Sequence, residues 1–265
     1  MKIDLDDKIT RFLVQEYVNK ICHYSGEADL NFNVHKLIHT FDVVRIVQQL
    51  MKQTKPALPL KLQKQILNAA ILHDLGRCYE FKDGIRLKNT DHGKVGAQLI
   101  RKKFPELKVE IQSTLYHNKL PSDKDPPECY PVLDYVRDAD MLANIEYEIG
   151  HIDVFIIHIF GRNFQQVASP IIDDEIFQAV REKRSVYLAK IKENTLLTHG
   201  LWQLCWYFNL RTKAGKKQAH QTHVFERFRE IICEKLVPMT TPDKKNQTKL
   251  KKIIRQTFPD ELFYK

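Results

Sequence analysis

Apolar residues recur three and four positions apart along nearly the whole chain, and no stretch alternates with period two between turn signals. That pattern predicts an all-α fold. The spacing predicts helices over 5–24, 34–53, 58–75, 91–103, 106–119, 130–146, 148–162, 172–194, 196–213 and 219–235, with a short one over 247–257. Pro56, Pro59, Gly76, Gly84, the segment from Pro121 to Pro127, and Pro170 mark the breaks. The segment PSDKDPPECYP at 121–131 is the one clear long loop and a candidate rim or lid for a site. A chain of 265 residues, 43% of them hydrophobic, can bury a proper core.

Several classes fall away on composition. The five cysteines (Cys22, Cys78, Cys129, Cys205, Cys233) are scattered and form no CxxC pair, which argues against a disulfide scaffold or a zinc ribbon and for a reducing compartment. The opening MKIDLDDKITRF carries charges where a signal peptide needs apolar residues, and the longest apolar run, VFIIHIF, is too short to span a bilayer. A soluble, cytoplasmic protein with no membrane partner is expected. The formal charge of +9 suits nucleic acid, anionic lipid or a phosphorylated small molecule alike. Within 240–265, seven Lys and Arg face three Asp and Glu; the run reads as a solvated basic tail, with nucleic acid as the alternative partner.

The stretch ILHDLG at 71–76 puts an imidazole and a carboxylate side by side at the end of an apolar helix. His73 continues the stripe of Leu62, Ile66 and Ala69, and Gly76 reads as the C-terminal cap. Asp74 then sits in the last turn, where the macrodipole disfavours a negative charge by roughly 0.3–1 kcal/mol. A bound divalent cation would compensate, whereas the plainer reading is a hydrogen-bonded core histidine beside a solvated aspartate. The same register test puts His39 in line with Val43, Ile46, Val47 and Leu50, and His92 with Val95 and Leu99. His117 falls with Ile111 and Thr114, and Asp140 with Leu133, Val136 and Ala143. Taken singly, each is a core polar group with a local partner. Five helices offering such groups to one interior would share a cation at least cost.

The order His39, His73-Asp74, His92, His117, Asp140 resembles that of the HD-domain superfamily of metal-dependent phosphohydrolases. The words LHDLGR, DHGKVGAQLI, YHNK and RDADML are similar to those of a bacterial subgroup of HD phosphohydrolases. The likeness spans residues 30–150, with a weaker echo in LWQLCWYFNL at 201–210. It implies an HD-domain helical bundle with additional C-terminal helices. Residues 1–30 would pack a helix on the bundle, 31–150 form the core, 151–240 complete the same domain, and 241–265 form the basic tail. It further implies that His39, His73, Asp74 and Asp140 hold a first divalent ion, with His92 and His117 holding a second or contacting substrate. One or two ions of Mn, Fe, Ni, Co or Zn are expected, with Mg a further candidate. Such sites polarise a phosphoryl oxygen and acidify water.

In the same comparison Asp74 could bridge two ions. HKLIH resembles the HNxxH of cyclic-nucleotide phosphodiesterases, which would make His35 the proton donor to the leaving group, with Lys36 in place of the asparagine. Arg77 and Lys119 are placed to hold phosphate oxygens, and Asp138 reads as a support for the site, not a ligand. CYP at 129–131, HQTH at 220–223 and the pair Trp202 and Trp206 are set aside as a chance match, a surface stretch and a core face. The expected function is hydrolysis of a phosphoester or phosphoanhydride of a nucleotide or another small phosphorylated metabolite. A non-catalytic nucleotide or nucleic-acid binding module and a di-iron oxygenase are the alternatives.

Overall fold

Ile9, Leu13 and Tyr17 stand four residues apart, so one helical face carries all three, and that face is buried in α1 (Asp7–Cys22). Asp7 in its first turn and Lys20 in its last complement the helix dipole. The structure is a computed structural model that describes residues 7–22, 27–82, 85–86, 91–119, 127–153, 156, 169–193 and 195–264. The chain divides into two compact units, Met1–Ala143 with Arg211–Gly215, and Asn144–Leu210 with Lys216–Lys265.

In the first unit, α2 (Glu27–Gln53) begins seven residues earlier than its periodicity indicates and buries Val43, Val44, Ile46, Val47 and Leu50. Helix α3 (Leu60–Leu72) is buried at every residue from Ile66 onward, so it runs through the core with no wet face in that half. It stops at Leu72. His73 keeps helical angles, Asp74 breaks them at φ −100° and ψ 15°, and a 3₁₀ turn follows at Leu75–Tyr79. Helix 58–75 is therefore shorter than expected, and Gly76 lies inside that turn instead of capping the helix.

A two-stranded antiparallel ribbon pairs β1 (Phe81–Lys82) with β2 (Ile85–Arg86). Asp91 caps α4 (His92–Lys103) by accepting from the Lys94 N–H at 3.1 Å, and Arg101, Lys102 and Lys103 close its last turn. Helices α5 (Lys108–Tyr116) and α6 (Val132–Gly150) complete the elements around the candidate site. Among the described residues the fold is helical apart from that ribbon, and no helix is long and apolar enough to cross a membrane. Part of the 121–131 loop and most of the helix expected at 148–162 lie outside the described residues.

The second unit is built from shorter pieces than the periodicity indicates. Asp173 caps α7 (Asp174–Glu182) and also accepts from the Lys192 and Glu193 N–H groups, both at 2.8 Å. The helix expected over 172–194 ends at Lys183, which is left-handed at φ 51°. Thr195 caps α8 (Leu196–Leu204), and a 3₁₀ turn at Cys205–Asn209 interrupts the helix expected over 196–213. Helix α9 (Lys213–Thr222) follows, and left-handed His223 (φ 50°) separates it from α10 (Val224–Ile231). A π turn at Ile232–Leu236 leads to α11 (Val237–Thr240), then to α12 (Lys244–Thr257). The basic segment 241–265 thus contains a helix whose Ile254 is buried, followed by buried Phe258 and Phe263. Phe263 stacks on Phe225 and meets Tyr207 edge-on, and Arg229 donates to the Phe258 carbonyl at 2.7 Å.

Candidate metal centre

His73 and His117 share one local device. Each ring sits just past the end of its helix, with Nδ1 2.7 Å from the backbone carbonyl three residues back, Ala70 and Thr114 respectively. A carbonyl only accepts, so each ring donates from Nδ1, and its Nε2 is left as a bare lone pair in the neutral form. Burial pushes the His73 pKa down to about 4 against the pull of Asp74 and Asp140, so this ring is neutral at physiological pH. Its Nε2 is fully buried, has no hydrogen-bond partner among the described residues, and lies 3.7 Å from Asp74 Oδ2 and 3.9 Å from Asp140 Oδ1. Three acceptors converge there, and a cation among them would serve all three, His73 Nε2 being the one without a partner among the described residues.

Asp74 divides the site in two. Its Oδ2 faces His39 Nε2 at 3.9 Å and His73; its Oδ1 faces His117 Nε2 at 3.3 Å and His92 Nε2 at 3.5 Å. The groups His39–His73–Asp74 and Asp74–His92–His117 each offer three ligand atoms within 4.8 Å of one another, with every residue buried. Asp140 adds its Oδ1 2.9 Å from His39 Nε2. The five residues singled out by register, with Asp74 beside His73, therefore meet in one place, drawn from α2, α6, the starts of α4 and the 3₁₀ turn, and the end of α5.

Electrostatics keep both aspartates charged. Burial works against ionising Asp74, but the charges of Arg77 and Lys36 hold its carboxyl well below the usual carboxylate range. For Asp140, burial is likewise outweighed by the hydrogen bond to His39. Burial, with Arg77, lowers the pKa of His92.

Close packing brings these elements together. A Cβ at Gly76 would stand 2.0 Å from the His92 carbonyl oxygen and 2.8 Å from the Gly96 nitrogen. Glycine is therefore needed at 76 for close approach of the HD turn to α4, not for a left-handed cap. Tyr17 of α1 donates from its hydroxyl to the Asp74 carbonyl at 2.9 Å, and Arg137 of α6 donates to the Tyr116 carbonyl at 2.8 Å, fixing the chain just before His117.

The remaining candidates are placed differently. His35 is half-buried, and its ring lies nearly parallel to that of His39 with centroids 6.4 Å apart. Arg77 donates from Nε to Asp74 Oδ1 at 3.2 Å and from Nη1 to Glu80 Oε1 at 2.7 Å, so its fork is directed at carboxylates of the protein itself. Lys119 is exposed, with its Nζ 4.9 Å from the centroid of the Tyr116 ring. Asp138 turns away and accepts from the Arg211 N–H, the Thr212 N–H and the Thr212 hydroxyl at 2.9, 2.8 and 2.7 Å, fastening residues 211–215 to α6. A Cβ at Gly215 would stand 2.3 Å from the same carboxylate.

Two residues of the site were missed in the sequence. Lys36 Nζ lies 3.4 Å from Asp74 Oδ2. Glu80, 2% exposed, joins Arg77 to His92, whose Nδ1 is 3.3 Å away. The i,i+3 spacing of Asp74, Arg77 and Glu80 was the one available signal. Residues 37–145 match the family model of the HD domain. No curated protein and no solved structure matches the chain.

Proposed function

This chain is an HD-domain protein, with the domain at residues 37–145, and from that premise we propose that it is a metal-dependent phosphohydrolase. The observation that carries the reading is the buried, unpartnered Nε2 of neutral His73 facing the charged oxygens of Asp74 and Asp140. The donor set fits a divalent transition ion: the rings of His73 and His117 are held in the right tautomer by backbone carbonyls, and the carboxylates are kept ionised. His39, His73, Asp74 and Asp140 would hold a first ion, and His92 and His117, with Asp74, a second. Such an ion supplies Lewis acidity toward a phosphoryl oxygen and acidifies water near neutral pH.

The chain's own groups do the rest. Asp74, shared by the two triads, orients the attacking water. Arg77 holds that carboxylate in place through Nε, and Glu80 holds Arg77 and the outer nitrogen of His92. His35, one turn before His39, is the candidate proton donor to the leaving group. The substrate is a phosphoester or phosphoanhydride of a nucleotide or other small metabolite. The test is metal analysis of protein purified without chelator, joined to turnover on a panel of phosphomonoesters, cyclic nucleotides and nucleoside di- and triphosphates. Bound metal together with turnover that is lost in His73→Ala supports the reading; a metal-loaded protein inert across the panel overturns it.

A further inference from the structure

Lys36 is the group in this site that the reading above leaves without a task. Its side chain is 13% exposed, against 3% for the Asp74 side chain it meets and 1% and 0% for those of His39 and His73. Asp140, at 22%, and Arg77, at 23%, are the more exposed members of the cluster, against 7% for His92. A ligand therefore approaches the cluster from the side where Lys36, Asp140 and Arg77 lie. Of the two cations there, Arg77 already spends two N–H groups on Asp74 and Glu80. Among the described residues the Lys36 ammonium, with three N–H donors, pairs with a single carboxylate oxygen, at 3.4 Å, too long for a strong hydrogen bond.

The charge inventory points the same way. Asp74, Asp140 and Glu80 face Lys36 and Arg77, three negative charges against two positive ones. A single divalent ion among the ligands turns the balance positive, and a second ion turns it strongly so. A half-buried cation in such a setting is costly unless an anion completes it. An ammonium on a four-carbon stem acts as a point charge that suits a tetrahedral oxyanion in more than one orientation.

We infer that Lys36 is the anion-binding residue of this site, its ammonium meeting a non-bridging oxygen of the substrate's phosphoryl group while Asp74 holds it in position. The inference rests on the phosphohydrolase reading for its choice of ligand. Two variants test it: Lys36→Met, which keeps the stem and removes the charge, and Lys36→Arg, which keeps the charge. Metal content is measured for each, and inorganic phosphate binding by calorimetry on the metal-bearing protein as purified.

The expected result is that Lys36→Met keeps its metal within a factor of two and binds phosphate at least tenfold more weakly. Lys36→Arg should recover most of that loss, and on any substrate that turns over, KM should rise at least tenfold in Lys36→Met. Wild-type protein that binds no phosphate, or a Lys36→Met that binds it as wild type does while its metal content or melting temperature shifts, overturns the inference and leaves Lys36 a counter-ion of Asp74. Phosphate binding that depends on Lys36 in a protein that hydrolyses no phosphoester would keep this inference and sink the proposed activity. Undiminished hydrolysis by Lys36→Met would do the reverse.

Discussion

At the scale of single residues, His73 carries the heaviest burden, because its lone pair is locked inward by the Ala70 carbonyl. Replacing it or Asp140 by alanine removes a donor from a group with few to spare, so protein purified without chelator should lose at least half its bound metal in either variant, as read by elemental analysis. Asp74→Asn keeps the shape but removes the charge that Arg77, Lys36 and both histidine groups surround. Turnover should fall by about three orders of magnitude or more with the melting temperature nearly kept, which separates chemistry from folding. His73 also sets a pH dependence. Its folded pKa, about 4, lies below the 6.5 of a free imidazole, so between those values the unfolded chain binds a proton that the folded chain refuses. The stabilisation is full above pH 6.5 and is lost as pH falls toward 4, by an amount on the order of 3 kcal/mol. Urea denaturation of chelated protein at pH 7.5 and pH 5 should show it, and equal midpoints would contradict a neutral buried His73.

At the scale of elements, the HD turn and α4 meet through glycine. Gly76→Ala would drive a methyl into the His92 carbonyl, which should cost about 1–3 kcal/mol or more and pull His92 out of line. Thermal melting should register the first effect, and metal stoichiometry the second, with the His39 and His73 side retained. Register alone was enough to find five side chains on five elements, with Asp74 beside one of them, because a core-facing stripe tells where a side chain points even when its partner is a hundred residues away. It could not find Glu80, Lys36 or the true partner of Asp138. Long or capping side chains choose among neighbours that only the assembled chain supplies: Asp138 takes its donors from Arg211 and Thr212, more than seventy positions on. Helix ends were legible where proline or a capping side chain stood, as at Pro59 and Asp91. They were hidden at Lys183 and His223, where a residue other than glycine adopts a left-handed angle with no local mark. The 3₁₀ turn after His73 was hidden too, since the apolar spacing runs on through Leu75.

At the scale of the whole molecule, the C-terminal segment is part of a core. Deleting residues 241–265 removes Ile254, Phe258 and Phe263, each worth about 1.5–3 kcal/mol when fully buried, and uncovers Phe225. Against a typical total of about 5–15 kcal/mol, that loss should unfold the unit to which it belongs, seen as a lost or sharply lowered melting transition. The pairing of His39 with Asp140 has a consequence of a different kind. The two residues are 101 positions apart, so an ion held by both, as proposed, would be a clasp that closes a long ring of chain. In the polymer picture a fastening across about 100 residues lowers the entropy of the unfolded chain by the equivalent of roughly 4–5 kcal/mol, an upper figure because the clasp can open. Chelation should then lower the melting temperature far more than the loss of one surface ligand would, and refolding should quicken when metal is restored before denaturant is diluted. On the ribosome the ring stays open until Asp140 has emerged, so everything between the two residues must be made before the knot is tied.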